Sequence, residues 1–494
     1  MNRERLAWTV SVVLMALLAF QLPGTMAQRD DDYAFVRTLI DIHRQVANNY
    51  VDPVDESKLR EGAIDGMLGQ LDPFSVYVPP AKQEEFDRLL EGSFKGVGVQ
   101  INQREEGNGP IEVVTPVDGS PAFKAGVQAG DVILAVNGES IEGMKLAEVI
   151  KKIAGKLGTE VTLKVRHVTG EEQELTMTRE EIVIPTVKGY QRKQDNSWDY
   201  YVCDNPKIAY VRITQFTPDT FDKLKAALIG PDGDPERPET YGGLIADGMK
   251  GLILDLRFNP GGRLDQAKEV IDLFIDKGVI VRTKGRNRPE DVATAKAEGT
   301  LPYFPMIVLV NEHSASASEI VAGSLMDNRR AVVVGTRTYG KGSVQELIPM
   351  DSKGGELKLT VAYYYLPSGR LVHRKKDATD WGVEPQINVP MDAQTEARVM
   401  KERYEQELFR RPVKKATTQA ALGATQATQP STQPVDSQLQ RAVDTMIALL
   451  VLEGDRANKG VAGAAVPPAT KVAVEGQRGN GKSKKGAATR PAAR

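Results

Sequence analysis

Residues 306–345 read MIVLV NEHSASASEI VAGSLMDNRR AVVVGTRTYG KGSVQ, and the order of elements in this stretch decides the fold. Met306 to Val310 is a short apolar run suited to a strand buried on both faces. Asn311 to Ser316 is a polar loop, Ser316 to Asp327 reads as a helix, and Ala331 to Val334 is a second apolar run. Strand, loop, helix and strand in this order are the unit of an α/β layer. The unit recurs upstream, with Leu252 to Leu256 as strand and Leu264 to Lys277 as helix, and Ile208 to Ile213 adds a further strand. In such sheets the loops after strand C-termini carry ligand chemistry, which singles out Arg257 to Arg263, Asn311 to Ser316 and Gly335 to Ser343.

The middle loop places Ser314, Ser316 and Ser318 at the start of a helix, where free N–H groups and the helix dipole favour developing negative charge. Ser316-x-x-Glu319 also has the pattern of a capping box, a purely structural use. A helix of about a dozen residues runs ~18 Å away and the strand behind it returns ~17 Å, so Lys341 comes back to the serines. A desolvated lysine there releases its proton below its ordinary ~10.4 and can act as general base for a hydroxyl. Gln345, four residues on, can hydrogen-bond or orient the neutral amine. Asn259-Pro260-Gly261-Gly262 in the first loop lets the backbone approach closely and aim N–H groups at an oxyanion. A histidine base is harder to assemble: His43, His167 and His373 fall in other segments, and His313 is only three residues from Ser316.

Between Gly92 and Arg179, Phe94-Lys95-Gly96-Val97-Gly98-Val99-Gln100-Ile101 sets two glycines among apolar residues where a strand begins. Consecutive N–H groups in such a turn can capture a carboxylate, and the strand edge behind can accept a peptide as an added strand. Strand-like Ile111 to Val114 follows, then a strand ending in the turn Asn137-Gly138, a helix with Leu146, Val149, Ile150 and Ile153 on one face, and an alternating strand from Glu160 to Arg166. This order resembles a PDZ domain, and the resemblance implies a protein C-terminus as ligand, with Val97 and Val99 beside an apolar side-chain pocket.

At 494 residues, and roughly 150 per domain, the chain suits about three units. With 64 Lys and Arg against 66 Asp and Glu it offers no long-range attraction for nucleic acid. The single cysteine, Cys203, and four scattered histidines disfavour a Cys/His metal site. Leu6 to Gln28 carries no charge, follows Arg3 and Arg5, and reaches small residues at Thr25-Met26-Ala27, which reads as an export signal. Cleavage near Ala27 is favoured; an uncleaved segment would anchor the protein to a membrane. An exported protein with one cysteine fits the bacterial periplasm or cell envelope. Tyr33 to Leu90 reads as a helical preface, with Phe35, Leu39, Ile42 and Val46 as one apolar stripe. Lys414 to Val435 is Thr/Gln/Ala/Pro-rich, Ser437 to Leu452 is a docking helix, and the last 39 residues hold nine basic side chains against Glu475 alone.

Asp255 to Gly262, Ser314 to Ile320 and Thr338 to Gln345 resemble the signature blocks of C-terminal processing peptidases, and the resemblance extends from about Tyr33 to Pro390. It implies Ser316 as nucleophile, Lys341 as general base, Gln345 as support, and oxyanion donors from Ala317 and one of Gly261 and Gly262. The fold class expected is α/β within an α+β multidomain chain: a crotonase-like (ClpP/crotonase) protease core, an inserted PDZ domain, helical N- and C-terminal segments, no metal and no cofactor. The expected layout is a signal at 1–27, a helical region at 33–90, a PDZ domain at 91–181 and a protease core at 182–390. An extension and linker at 391–436, a helix at 437–453 and a disordered basic tail at 454–494 complete it. The partners implied are protein substrates held by their C-terminal tails, with terminal helices that assemble a homodimer or dock an adaptor. Phe258 departs from the block, where a smaller or polar residue is expected.

Two other readings compete. Gly335-Thr-Arg-Thr-Tyr-Gly340-Lys341 has P-loop spacing, but Gly342 stands where the magnesium-binding hydroxyl belongs. A catalytically inert peptide-binding scaffold is the other, and the joint presence of Ser316, Lys341 and Gln345 speaks against it.

Overall fold

A computed structural model describes residues 33–103, 109–350, 355–409 and 436–458; the segment read as a signal, most of the linker and the basic tail lie outside the described residues. The chain divides into two compact units, residues 1–84 with 345–360, and 85–344 with 361–494.

In the first unit a helix spans 33–49 and another Glu56–Leu68, the latter capped by Asp55, which accepts the N–H groups of Ser57 (3.0 Å) and Lys58 (3.2 Å). Strand Val76–Val78 pairs antiparallel with 356–358. The stripe on the first helix departs from expectation: Phe35 and Ile42 are more than half exposed and Leu39 is exposed at 42%. Spacing specifies a helix and its apolar side, but the surface that would cover that side is not encoded in the spacing.

The second unit is built on a sheet of parallel strands, β1 (Lys207–Ile213), β2 (Gly251–Asp255), β3 (Met306–Val310), β4 (Val332–Gly335) and β5 (Ile387–Asn388), in sequential order. Alternate residues of each strand face opposite layers. Val211, Leu252, Leu254, Val308 and Val333 pack with α1 (Thr220–Ile229), α2 (Leu264–Asp272) and α3 (Ala317–Asp327). Ile208, Tyr210, Ile253, Ile307 and Leu309 pack instead against Leu439, Ala442 and Met446 of the C-terminal helix. Two covered faces explain why the strands read as unbroken apolar runs.

Helix α2 stops at Asp272, short of the expected Lys277, because Leu273, Phe274 and Ile275 turn inward and are buried in the core. A further helix, α4 (Ala393–Glu407), forms within the stretch read as extension and linker. The last helix, α5, runs Ser437–Asn458; its buried seam is Leu439, Ala442 and Met446, while Ile447 is 37% exposed.

Residues 93–183 of this unit form a small antiparallel sheet of Val99–Gln103, Ile111–Pro116, Val132–Val136, Glu160–Arg166 and Glu172–Thr178, packed on helix Leu146–Ile153. The turn after Val136 has Asn137 and Gly138 at φ 51° and 78°, the left-handed pair that a tight hairpin needs.

Candidate active site

Strands β2, β3 and β4 end at one edge of the parallel sheet, and the three loops singled out above leave from there. Two of the three serines at the head of α3 are spent on architecture. Ser314 Oγ donates to the Leu256 carbonyl (2.8 Å) and Ser318 Oγ to the Asn259 carbonyl (3.0 Å), and both residues are fully buried. They stitch the serine loop to the Asn259-Pro260-Gly261-Gly262 turn. Ser316 between them is half-buried and its backbone sits at φ 56°, ψ −116°, a conformation that costs an L-residue energy and persists only where its surroundings over-determine it.

Glu319 supplies much of that restraint. Its fully buried carboxylate accepts four hydrogen bonds, two on each oxygen. Oε2 takes the N–H of Ser316 and the N–H of Lys341, both at 2.8 Å. Oε1 takes Thr338 Oγ1 (2.5 Å) and the Gly340 N–H (2.7 Å). The backbones of Ser316 and Lys341 therefore meet on a single oxygen atom and are no farther apart than two such bonds end to end. Burial raises the Glu319 carboxyl above its ordinary value of 4.5, and hydrogen bonds from Thr338, Gly340, Ser316 and Lys341 pull against it. The sequence reading saw Glu319 as the far half of a capping box; its bond to the Ser316 N–H is that half, and its bonds to the lysine loop were not legible from spacing.

Tyr364 joins the same two loops. Its hydroxyl donates to the Lys341 carbonyl and has the Ser316 side chain as a hydrogen-bonding neighbour. Burial keeps the phenol protonated by pushing it well above its ordinary value of 10.0. Gln345 belongs to the first unit, where its amide nitrogen donates to Thr360 Oγ1 (3.1 Å).

The glycine turn separates its two glycines. The Gly261 N–H donates to Asn259 Oδ1 (2.8 Å), so it is engaged inside the turn. The Gly261 carbonyl accepts the Phe216 N–H (2.9 Å), which in a trans peptide sends the Gly262 N–H the opposite way, and that N–H has no acceptor among the described residues. The Ala317 N–H, first in α3, likewise has none. Gly261 touches the serine directly: at φ 99°, a Cβ there would lie 2.7 Å from Ser316 Cβ and 2.9 Å from the Ala317 nitrogen. Phe258 also lies at positive φ, 61°, with its ring stacked 5.3 Å from that of His313. A left-handed backbone is strained for a bulky side chain, which accords with the smaller or polar residue expected there from the family block.

Behind the turn lies a buried ionic cluster that sequence reasoning missed. Asp255 accepts from Tyr210 (2.7 Å), Arg257 (2.7 Å) and Arg403 of α4, and Asp436 at the start of α5 accepts from Arg257 (2.8 Å) and Arg403 (2.5 Å). No local signal links Arg403 or Asp436 to Asp255, from which they lie far along the chain. Glu312, His313 and Glu396 bring ligand atoms within 4.8 Å of one another, a grouping of metal-ligand type on a largely exposed surface. His167 binds Asp131 (2.9 Å) and Gln173 (3.0 Å), both in the small antiparallel domain.

The P-loop alternative fails on geometry. The N–H groups of Thr336, Thr338, Tyr339, Gly340 and Lys341 already serve Val310, Val383, Ser314 and Glu319, and a strand, Ser343–Pro349, follows where a phosphate-binding helix would begin.

In the carboxylate-loop region, Phe94 and Gly96 lie in strand Ser93–Gly96, which pairs with Glu180–Val183. Val97 is buried, Val99 packs against the domain core, and Gly98 at φ 75° rests on Ser120. The N–H groups of Val97 and Gly98 find no acceptor among the described residues.

Peptidase family S41 matches residues 207–389, the PDZ domain 112–167, and the activating protease CtpB N-terminal domain 24–81. Over 372 residues the chain is 38% identical to a carboxy-terminal-processing protease of Bartonella bacilliformis, covering 75% of this chain and 80% of that one. The carboxy-terminal processing protease CtpA of Bacillus subtilis is 35% identical over 351 residues, 71% of this chain and 68% of that protein. Among solved structures, the photosystem II D1 C-terminal processing protease aligns at 27% identity and a TM-score of 0.37, over 75% of this chain and 98% of that one.

Proposed function

The chain belongs to peptidase family S41, the carboxy-terminal processing proteases, which are serine peptidases, and from that membership we propose its mechanism, its mode of substrate capture and its location. Ser316 is the nucleophile and Lys341 the general base. The neutral amine takes the hydroxyl proton as Ser316 Oγ attacks a peptide carbonyl, and the oxyanion is held by the N–H groups of Ala317 and Gly262. The ammonium of Lys341 then protonates the leaving amine. Water activated by the regenerated amine releases the acyl group from Ser316. Gln345 takes the supporting role that family resemblance gives it, and Tyr364 and Glu319 act as positioning residues that hold the serine and lysine loops in register.

One observation carries this reading: of three serines at the head of α3, two have hydroxyls committed to carbonyl oxygens, and the third shares a carboxylate oxygen with the backbone of Lys341. The test incubates the full chain with unfolded proteins bearing apolar or charged C-termini, beside Ser316→Ala and Lys341→Ala. Both variants should cut at least about a thousandfold more slowly while still binding tails. If both cut at the rate of the unaltered protein, the dyad is wrong.

The PDZ domain is the capture module, with a substrate's terminal carboxylate on the Val97 and Gly98 N–H groups and an apolar last side chain near Val97 and Val99. Its link to the core is favoured by Phe123, whose ring lies 5.0 Å from Phe409 beyond α4, and by Arg192, 3.3 Å from Asp118. Tail capture is thereby coupled to the segment that reaches Asp255 through Arg403. Export is read from residues 1–27, with a place in the bacterial periplasm or cell envelope, anchored to the membrane if the segment is kept. The core is read as crotonase-like, a reading supported by its sequential parallel sheet. The terminal helices join two copies or dock an adaptor, favoured by exposed Phe35 and Ile42 at one end and Val451 and Leu452 at the other.

A further inference from the structure

Beside the serine and lysine loops lies an open cavity of about 460 Å³ that the mechanism above does not use. One wall is Glu312 and His313, just ahead of Ser316; another runs from Thr336 to Tyr339, just ahead of Lys341; Arg374 and Trp381 complete the lining. The walls are joined, because the Tyr339 N–H donates to the Ser314 carbonyl (3.1 Å) and the Arg374 N–H to the Gly340 carbonyl (2.8 Å). Gly340 permits this closeness: a Cβ there would lie 2.6 Å from Trp381 Cδ1 and 2.8 Å from Arg374 Cβ. The two loops that lead into Ser316 and Lys341 thus both contribute to the cavity.

Two guanidinium groups lie over the Trp381 indole, Arg374 at 4.4 Å and Arg337 at 4.6 Å from the ring centre. Their charges are not equally engaged. Arg337 pairs with Glu384 and lies 3.7 Å from Asp380, which Arg370 also holds at 3.3 Å. Arg374 has no carboxylate partner among the described residues, and Lys375 and Lys376 follow it in sequence. A guanidinium stacked by its face on an indole keeps its edge of N–H donors available, and that fork matches a carboxylate.

We propose that this cavity is a specificity subsite of the peptidase for an acidic side chain, an Asp or Glu close to the scissile bond. Its carboxylate meets Arg374 edge-on, and its aliphatic stem lies against Trp381. The proposal rests on the reading of Ser316 as the nucleophile.

Peptides with one common apolar C-terminal tail, differing by Glu or Gln at successive positions around the cut bond, test it with the full chain. At one position Glu should raise kcat/KM about tenfold over Gln. Arg374→Gln should close that gap, and Arg374→Glu should invert it in favour of Gln. Equal cleavage of Glu and Gln peptides at every position, or a gap that survives Arg374→Gln, overturns the subsite. Binding to Ser316→Ala of the same peptides with amidated C-termini, followed by tryptophan fluorescence, separates the two readings and takes the PDZ domain out of play. If nothing is cut but Glu peptides still bind about tenfold tighter than Gln peptides through Arg374, the nucleophile assignment falls and the subsite stands. Equal binding sinks the subsite and leaves the nucleophile standing.

Discussion

Two glycine-containing turns in one unit present backbone N–H groups, and they are built to different standards of restraint. The turn at Gly96–Gly98 rests on a few bonds, with Ser120 Oγ (3.0 Å) and the Val117 N–H (2.8 Å) on the Gly98 carbonyl and the Ala122 N–H (2.8 Å) on that of Val97. The turn at Asn259–Gly262 with Ser316 is cross-linked by the buried side chains of Asn259, Asn311, Ser314, Ser318 and Glu319, behind which stand Asp255 and Arg257. The chemistry proposed for each accounts for the contrast. A peptide's terminal carboxylate arrives with its charge and can help organise the loop that binds it. An oxyanion exists only while a bond is breaking, so its donors gain most when they are fixed beforehand.

The comparison can be broken most sharply at Gly261. Gly261→Ala adds a Cβ against Ser316 Cβ at a left-handed backbone position, and kcat should fall about 100- to 1,000-fold, the scale of a lost oxyanion donor, with tail affinity unchanged. Steady-state cleavage alongside tail binding by fluorescence anisotropy measures both, and retained kcat would mean that the turn yields more than its cross-links suggest. Gly98→Ala makes the converse change, forcing a Cβ into Ser120. Tail affinity should drop about tenfold in the same anisotropy assay, while cleavage of a short peptide lacking a free C-terminus holds. Equal damage to both readouts would erase the distinction between the turns.

The smallest effect expected is on pH. The hydrogen bond to Gln173 raises His167 above its ordinary 6.5, with burial opposing it and Asp131 reinforcing it. The stability this contributes is therefore fully present below pH 6.5 and is lost as pH rises through the folded value. Hydrogen-exchange protection of Glu160–Arg166, corrected for intrinsic rate, should weaken between about pH 6 and 8, and His167→Gln should flatten that slope. An unchanged slope would place the pH response elsewhere.

Much of this was legible beforehand for reasons that differ from element to element. Unbroken apolar runs at Leu252 and Met306 mark strands covered on both faces, and the structure covers them with helices on one side and α5 on the other. Leu264 to Lys277 misled because Leu273, Phe274 and Ile275 continue a plausible helical pattern while entering the core as a bend. Spacing could not choose among Ser314, Ser316 and Ser318, which share a residue type and a helix terminus. They differ in which carbonyl oxygens lie opposite them, and Leu256 and Asn259 are about sixty residues away.

Periodicity and turn chemistry are local, and they were sufficient for the alternation of strands and helices, the left-handed Asn137-Gly138 turn and the glycine loops. The convergence of Ser316, Lys341 and Tyr364 on shared partners depends on contacts between segments distant in sequence, as does the union of Arg403 and Asp436 with Asp255. A hydrogen bond is satisfied by whatever donor the folded chain delivers within about 3 Å. Four residues of sequence therefore explain Glu319 as a cap, and only the packed sheet explains why its carboxylate also holds the lysine loop.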